Sequence, residues 1–183
     1  MNRLIEQLRQ ALQAFEVCSQ PPALIGGMAV NAYNVIRATA DIDFLVAAGD
    51  ADRLHEALLA LGYQCIYRTE NVANYARDDE RLDVLYAHRP YSVELLRDAE
   101  LRQFAVGQLR VVSAEGLIGF KLQALRNNPA RARDEEDIRE LLRMNRDRLD
   151  WSQVRRYFVL FDREDWLQQL LEELQVEQEP PQP

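Results

Sequence analysis

The feature that most constrains this chain is Gly26-Gly27, followed fourteen residues later by Asp41-Ile42-Asp43. Ala23-Leu24-Ile25 is a short apolar run, Gly26-Gly27 breaks it, and Met28 to Tyr33 then reads as a helix. Glycine lets a backbone adopt positive φ and approach a ligand closely. A helix start offers free N–H groups to a phosphate. Ala40 to Val46 has strand composition. Side chains alternate along a strand, so Asp41 and Asp43 share one face while Ile42, Phe44 and Val46 share the other. Two carboxylates side by side repel unless a cation lies between them. Mg²⁺, a hard ion taking carboxylate, water and phosphate oxygens, suits such a pair, and Mn²⁺ is an alternative. A metal-bound triphosphate is the ligand that both halves of the motif fit.

A site of this kind calls for a further carboxylate on a neighbouring strand. Arg81-Leu82-Asp83-Val84-Leu85-Tyr86 supplies one, forty residues after Asp43. Asp83 is either the third member of the set or an ordinary exposed strand residue.

Gly26-Gly27…Arg37-x-Thr39-x-Asp41-Ile42-Asp43 resembles the signature of the polymerase-β-like nucleotidyltransferases. It is most similar to the small bacterial branch that includes AbiEii-like toxins and minimal nucleotidyltransferases. Gly27 stands where many members carry Ser. The resemblance implies an α+β fold, a mixed sheet flanked by helices. It also implies NMP transfer from an NTP to an acceptor hydroxyl: an RNA end such as that of tRNA, a partner protein or a small molecule. It makes Asp41, Asp43 and Asp83 the metal ligands, with Asp83 also a candidate base, and Gly26, Gly27, Arg37 and Thr39 the nucleotide-binding residues. A cognate toxin or antitoxin is an implied partner. The competing expectation is a catalytically inactive module that keeps the fold and binds nucleotide or a partner. A metal-dependent hydrolase is less well served, because His55 and His88 are solitary.

The rest of the chain adds a second constellation. Twenty-two residues are basic, and all but one are arginine; the exception is Lys121. Lysine is a compact point charge and arginine a wide planar fork, so the exception suggests a site needing the compact form. Leu117, Ile118, Phe120, Leu122 and Leu125 wrap the helix around it, and a buried lysine is costly without a partner. It would pair with a carboxylate, snorkel to the surface or face the nucleotide cleft. Four basic residues and no acidic one lie between Lys121 and Arg133, and Asp134-Glu135-Glu136-Asp137 follows. Lys121-x-x-Ala124…Arg126 and Arg133-Asp134-x-x-Asp137-Ile138 are also similar to the AbiEii-like branch. By that resemblance Lys121 contacts the triphosphate and is a catalytic residue, with Asp134 or Asp137 as support. Otherwise the two aspartates are helix-start acids favoured by the dipole.

Organisation follows from periodicity. Helices are expected at residues 3–16, 51–61 (after a Gly49-Asp50 turn and cap), 91–99, 114–126 (capped by Ser113), 132–144, 151–160 and 164–174. Strands are expected at 63–67, 72–76, 81–86, 104–106 and 109–112, the last two joined by Gly107-Gln108. An α/β core at 1–112, a helical part at 113–174 and a disordered tail at 175–183 result. The terminal helices would pack on the core or form a dimer or partner interface. A net charge of −8 disfavours a surface built for long nucleic acid. No apolar run is long enough to cross a membrane, and two cysteines without CxxC spacing suggest a reducing cytoplasm.

Overall fold

The computed structural model describes residues 2–176. It contains α1 (Asn2–Ala14), β1 (Ala23–Ile25), α2 (Gly26–Asn31), β2 (Asp41–Ala47), α3 (Ala51–Ala60), β3 (Gln64–Arg68), β4 (Val72–Arg77), β5 (Glu80–Ala87), α4 (Pro90–Arg97), β6 (Glu100–Phe104) and β7 (Gly107–Val111). Four helices close the chain: α5 (Ala114–Asn127), α6 (Ala132–Asn145), α7 (Trp151–Leu160) and α8 (Glu164–Val176). The fold is thus α+β, as expected. α8 runs two residues into the segment expected as a tail; residues 177–183 lie outside the described ones.

Two compact units divide these elements. The first holds residues up to Ala32 and Ile36–Ser113; the second holds Tyr33–Val35 and the chain from Ala114 onward.

In the first unit the strands form one mixed sheet in the order β3-β4-β5-β2-β1-β7-β6. β2 runs parallel to β5 and antiparallel to β1. Along β2, Ile42, Phe44 and Val46 are fully buried on one face; on the other, Asp41 is exposed and Asp43 half-buried, but Leu45 is buried too, so the alternation holds only over the first half of the strand. Ala73, Tyr75, Leu82 and Val84 of β4 and β5 are also fully buried, as are Leu54 and Leu58 of α3. Each such leucine contributes about 1.5–3 kcal/mol of transfer free energy.

Two local expectations change. Asp50 does not cap α3 with its side chain; it accepts from Ser19 N at 2.9 Å and Ser19 Oγ at 3.0 Å, and it pairs with Arg53. A buried carboxylate needs several donors, and the 19–20 loop supplies more of them than a helix start does. The β6–β7 hairpin turns at Ala105-Val106 rather than Gly107-Gln108, with Phe104 opposite Gly107. Neither turn residue has positive φ; Gly107 carries it, at +118°, and so matches the strand twist.

In the second unit α5 packs against α6 and α7. Gly119 allows the α7 approach, since a Cβ there would lie 2.9 Å from Tyr157 Cδ1. Asp150 caps α7 by accepting from Ser152 N and Gln153 N, and its own N–H donates to Glu115 at 2.8 Å.

Candidate active site

The register of the parallel β2–β5 pair assembles the carboxylates. Asp43 pairs with Asp83 and Asp41 with Arg81, so all four side chains leave the same face of the sheet. β4 adds Asn74 opposite Asp83, and its Nδ2 donates to Asp83 Oδ1 at 2.7 Å. The sequence reading missed Asn74, although a signal existed: Asn74 and Asp83 stand at equal distance from the Asp78-Asp79 turn, so hairpin pairing alone places them opposite one another.

The Gly-Gly turn closes on the same carboxylates. β1 pairs Ile25 with Asp43, and Gly26 follows with φ +65°. A Cβ on Gly26 would drive into the Asp43 carboxylate and lie 2.8 Å from its Cβ. Gly26 is therefore fixed by both backbone and space, and α2 begins there, two residues earlier than expected. Gly26→Ala should cost about 1–3 kcal/mol, the range for a strained φ, and denaturant titration checks it. At Gly27 a Cβ would lie 2.7 Å from Thr39 Oγ1 and 3.2 Å from Arg37 Cζ. Thr39 and Arg37 thus fill the place that Ser would occupy. Asn31, also missed, holds this loop: its Nδ2 donates to Arg37 O and its Oδ1 accepts from Arg37 N, both at 3.1 Å. Gly26, Gly27, Arg37, Thr39, Asp41, Asp43 and Asp83 all belong to the first unit, around one end of β2.

Burial, and then the neighbouring Asp41 carboxylate, push the Asp83 carboxyl above the usual range; the Asn74 hydrogen bond and Arg81 oppose them. A group that holds its proton more tightly when folded loses stability as pH rises through that window. Asp83→Asn keeps the shape and the Asn74 contact while removing the charge. Its melting temperature should exceed that of the unaltered protein at pH 7. The gap should close as pH falls below the ordinary aspartate value. Aspartate oxygens are the hard donors that Mg²⁺ or Mn²⁺ takes, so the donor set fits a metal. Among the described residues no three His, Cys, Asp or Glu side chains converge on a single point. The carboxylates therefore share a face and a row without being drawn together.

Lys121, Asp134 and Asp137 belong to the second unit and form a cluster of their own. Lys121 Nζ of α5 donates to Asp134 Oδ1 at 2.9 Å and to Asp137 Oδ2 at 2.5 Å, both on α6. All three residues are buried. Burial pushes Asp134 upward, but Lys121 and Arg131 outweigh it and hold its carboxyl below the usual range. Of the three fates open to a buried lysine, pairing with carboxylates is the one observed.

No protein-family model and no curated protein matches the chain. Solved structures do. The solution structure of the antibiotic-resistance factor ANT(2'')-Ia matches with a TM-score of 0.64 at 19% identity, over 92% of this chain and 97% of that one. Its crystal structure with adenylyl-2''-tobramycin gives 0.65 at 19%, over 86% and 96%. An antigenic nucleotidyltransferase-like protein from Paracoccidioides brasiliensis gives 0.58 at 16%, over 92% of each chain. The lincosamide antibiotic adenylyltransferase LnuA, with lincomycin bound, gives 0.55 at 15%, over 74% and 94%. At these identities the likeness is one of fold. The chain has the nucleotidyltransferase fold, as the polymerase-β-like resemblance implied.

Proposed function

We propose that this protein is a divalent-metal-dependent nucleotidyltransferase moving NMP from an NTP to an acceptor hydroxyl. The observation that carries the reading is the in-register Asp43–Asp83 pair, with Asp41 on the same face and Gly26 pressed against Asp43. The acceptor oxygen bonds to the α-phosphorus, the bond from that phosphorus to the oxygen bridging to the β-phosphate breaks, and pyrophosphate leaves. The hydroxyl proton passes to Asp83, whose Oδ1 is occupied by Asn74, leaving Oδ2 to receive it. Mg²⁺ or Mn²⁺ on Asp41, Asp43 and Asp83 would supply the positive charge that the phosphate oxygens need. The Gly26-Gly27 backbone, Arg37 and Thr39 receive those oxygens. Lys121 enters as the resemblance has it, as a phosphate contact supported by Asp134 and Asp137. Two of its three N–H donors are already engaged, so one remains for an outside acceptor.

Among proteins of this fold, the ligands named above are an adenylylated antibiotic and a lincosamide, which favours a small-molecule acceptor over an RNA end or a partner protein. A role beside a cognate toxin or antitoxin rests on the AbiEii-like motif alone, and the neighbouring gene checks it. The test of the reaction is incubation with each α-labelled NTP, Mg²⁺ and an acceptor pool. Label should reach an acceptor and cease with EDTA. Nucleotide binding without any transfer would instead identify a binding module.

A further inference from the structure

On the face of the sheet turned away from the carboxylate row, a buried hydroxyl has no partner. Tyr86 of β5 is 4% exposed, and its buried Oη makes no hydrogen bond. Arg68 and Tyr75 interact with it electrostatically, yet neither meets it in hydrogen-bonding geometry. Tyr75 Oη is engaged instead with His55 Nδ1 at 3.0 Å. Buried polar side chains nearly always have a partner, and an orphan calls for one from outside the chain. Tyr86 lines an open depression of about 650 Å³ between the start of α3, the β3–β4 turn and the end of β5. All of its lining belongs to the first unit. Tyr86 is three residues past Asp83, hence on the opposite face and about 10 Å further along the strand. The depression is therefore separate from the candidate active site.

A β-bulge brings a cation to this place. Cys65 lies opposite Tyr75, but Tyr67 lies opposite Asn74, so Ile66 is an extra residue in β3. Arg68, opposite Ala73, is thereby turned to the face of Tyr75 and Tyr86; regular alternation from Cys65 would have put it on the carboxylate face. It pairs with Asp52 of α3 through Nη2, one nitrogen of a five-donor group. The Asp52 side chain is 91% exposed, and open pairs of this kind hold weakly, so a ligand can share both partners. Glu70 adds a second carboxylate from the β3–β4 turn, which Thr69 Oγ1 fixes by accepting from Asn71 N and Val72 N, both at 3.2 Å. His88 Nδ1 donates to Tyr86 O at 3.1 Å at the rim. Ala48 and Ala51 have short side chains and leave room beside Asp52.

Charges of both signs in one depression suit a zwitterion. The fixed ones are Arg68 against Asp52 and Glu70, so the complement carries one net positive charge. A phenol lacking an acceptor suits a carboxylate, because hydrogen bonds to ionised groups are the stronger kind. We propose that this depression binds a basic α-amino acid, with its carboxylate on Tyr86 Oη and Arg68, its α-ammonium on Asp52 and its side-chain cation on Glu70. The proposal does not depend on the nucleotidyltransferase reading.

Calorimetry on the full chain, without nucleotide or metal, tests it. The probes are L-lysine and L-arginine, their decarboxylated counterparts cadaverine and agmatine, norleucine, and inorganic phosphate. At least one of the two amino acids should bind at millimolar concentration or below. Its decarboxylated counterpart, norleucine and phosphate should each bind about tenfold more weakly or less. Tyr86→Phe should weaken the amino acid about tenfold, the loss of one hydrogen bond to a carboxylate. The same variant, free of ligand, should melt at the same or a higher temperature, because the hydroxyl removed had no partner. Glu70→Gln should bring the basic amino acid down to the level of norleucine. Binding of neither amino acid, equal binding of cadaverine or agmatine, tighter binding of phosphate, or equal affinity in Tyr86→Phe overturns the site. A lower melting temperature in ligand-free Tyr86→Phe would mean that an ordered water already satisfies the hydroxyl, and also overturns it. Asp43→Ala should leave the binding unchanged whatever it does to label transfer; loss of binding there would place the ligand at the carboxylate row and overturn the second site.

Discussion

Asp43→Ala should reduce label transfer from NTP by on the order of 1000-fold or more while the protein stays folded. Asp43 is the junction of the site: it pairs with Ile25 on one side and Asp83 on the other, and the space above it is reserved by Gly26. Removing its carboxylate would take away a donor for the proposed metal and also open the space against which Gly26 sits. Little stability depends on it, because the buried face of β2 is carried by Ile42, Phe44 and Val46. Circular dichroism and melting temperature should therefore match the unaltered protein. Transfer at the original rate would remove the proposed metal site altogether.

The second large effect is on stability. Lys121→Met keeps the length of the stem but leaves Asp134 and Asp137 facing each other at 6% and 3% exposure. Breaking one partner out of a buried ionic cluster costs about 3–5 kcal/mol, read by denaturant unfolding. Raising the salt concentration should recover little of it, since a buried cluster is poorly screened. Asp134 sets the pH direction: its folded value is depressed, so its contribution is present above the ordinary aspartate range and lost as pH falls through the folded value. Lys121→Arg asks a planar fork to enter a slot fitted to an ammonium, and overpacking of that sort costs about 1–3 kcal/mol. Full transfer per folded molecule in Lys121→Arg would confine Lys121 to holding α5 against α6; a drop beyond the loss of folded protein would support the phosphate contact.

Much of this was legible in the sequence because the signals were local. β1, β2 and the four C-terminal helices follow from apolar spacing and punctuation over a few residues. Asp41 and Asp43 are two apart on one strand, so their shared face is a matter of pleat alone. What escaped depends on a partner strand or a distant loop. The Ile66 bulge exists only relative to β4, and nothing in Cys65-Ile66-Tyr67 distinguishes two faces from one. Asp50 has the composition of a cap but finds better donors at Ser19, thirty-one residues away. The β6–β7 turn was displaced because Gly107 was read as a central turn residue, whereas its positive φ serves the first position of the returning strand. Asn31 and Asn74 carry no compositional mark, and only their hydrogen bonds to Arg37 and Asp83 reveal a positioning role.

Tyr33–Val35 have a consequence for how the chain is made. These three residues lie early in the sequence yet count with the second unit, where Asn145 Nδ2 donates to Tyr33 O at 3.0 Å. No single cut separates the two units, so a fragment beginning at Ala114 leaves behind part of its own structure. The ribosome delivers Asn145 112 residues after Tyr33. At about 5–20 residues per second that interval is on the order of 6–20 s. During it the loop that leads into Arg37 and the carboxylate strand emerges without the partner it later acquires. Synthesis thus leaves Tyr33–Val35 waiting for the rest of the second unit, the last part of the described chain to be made.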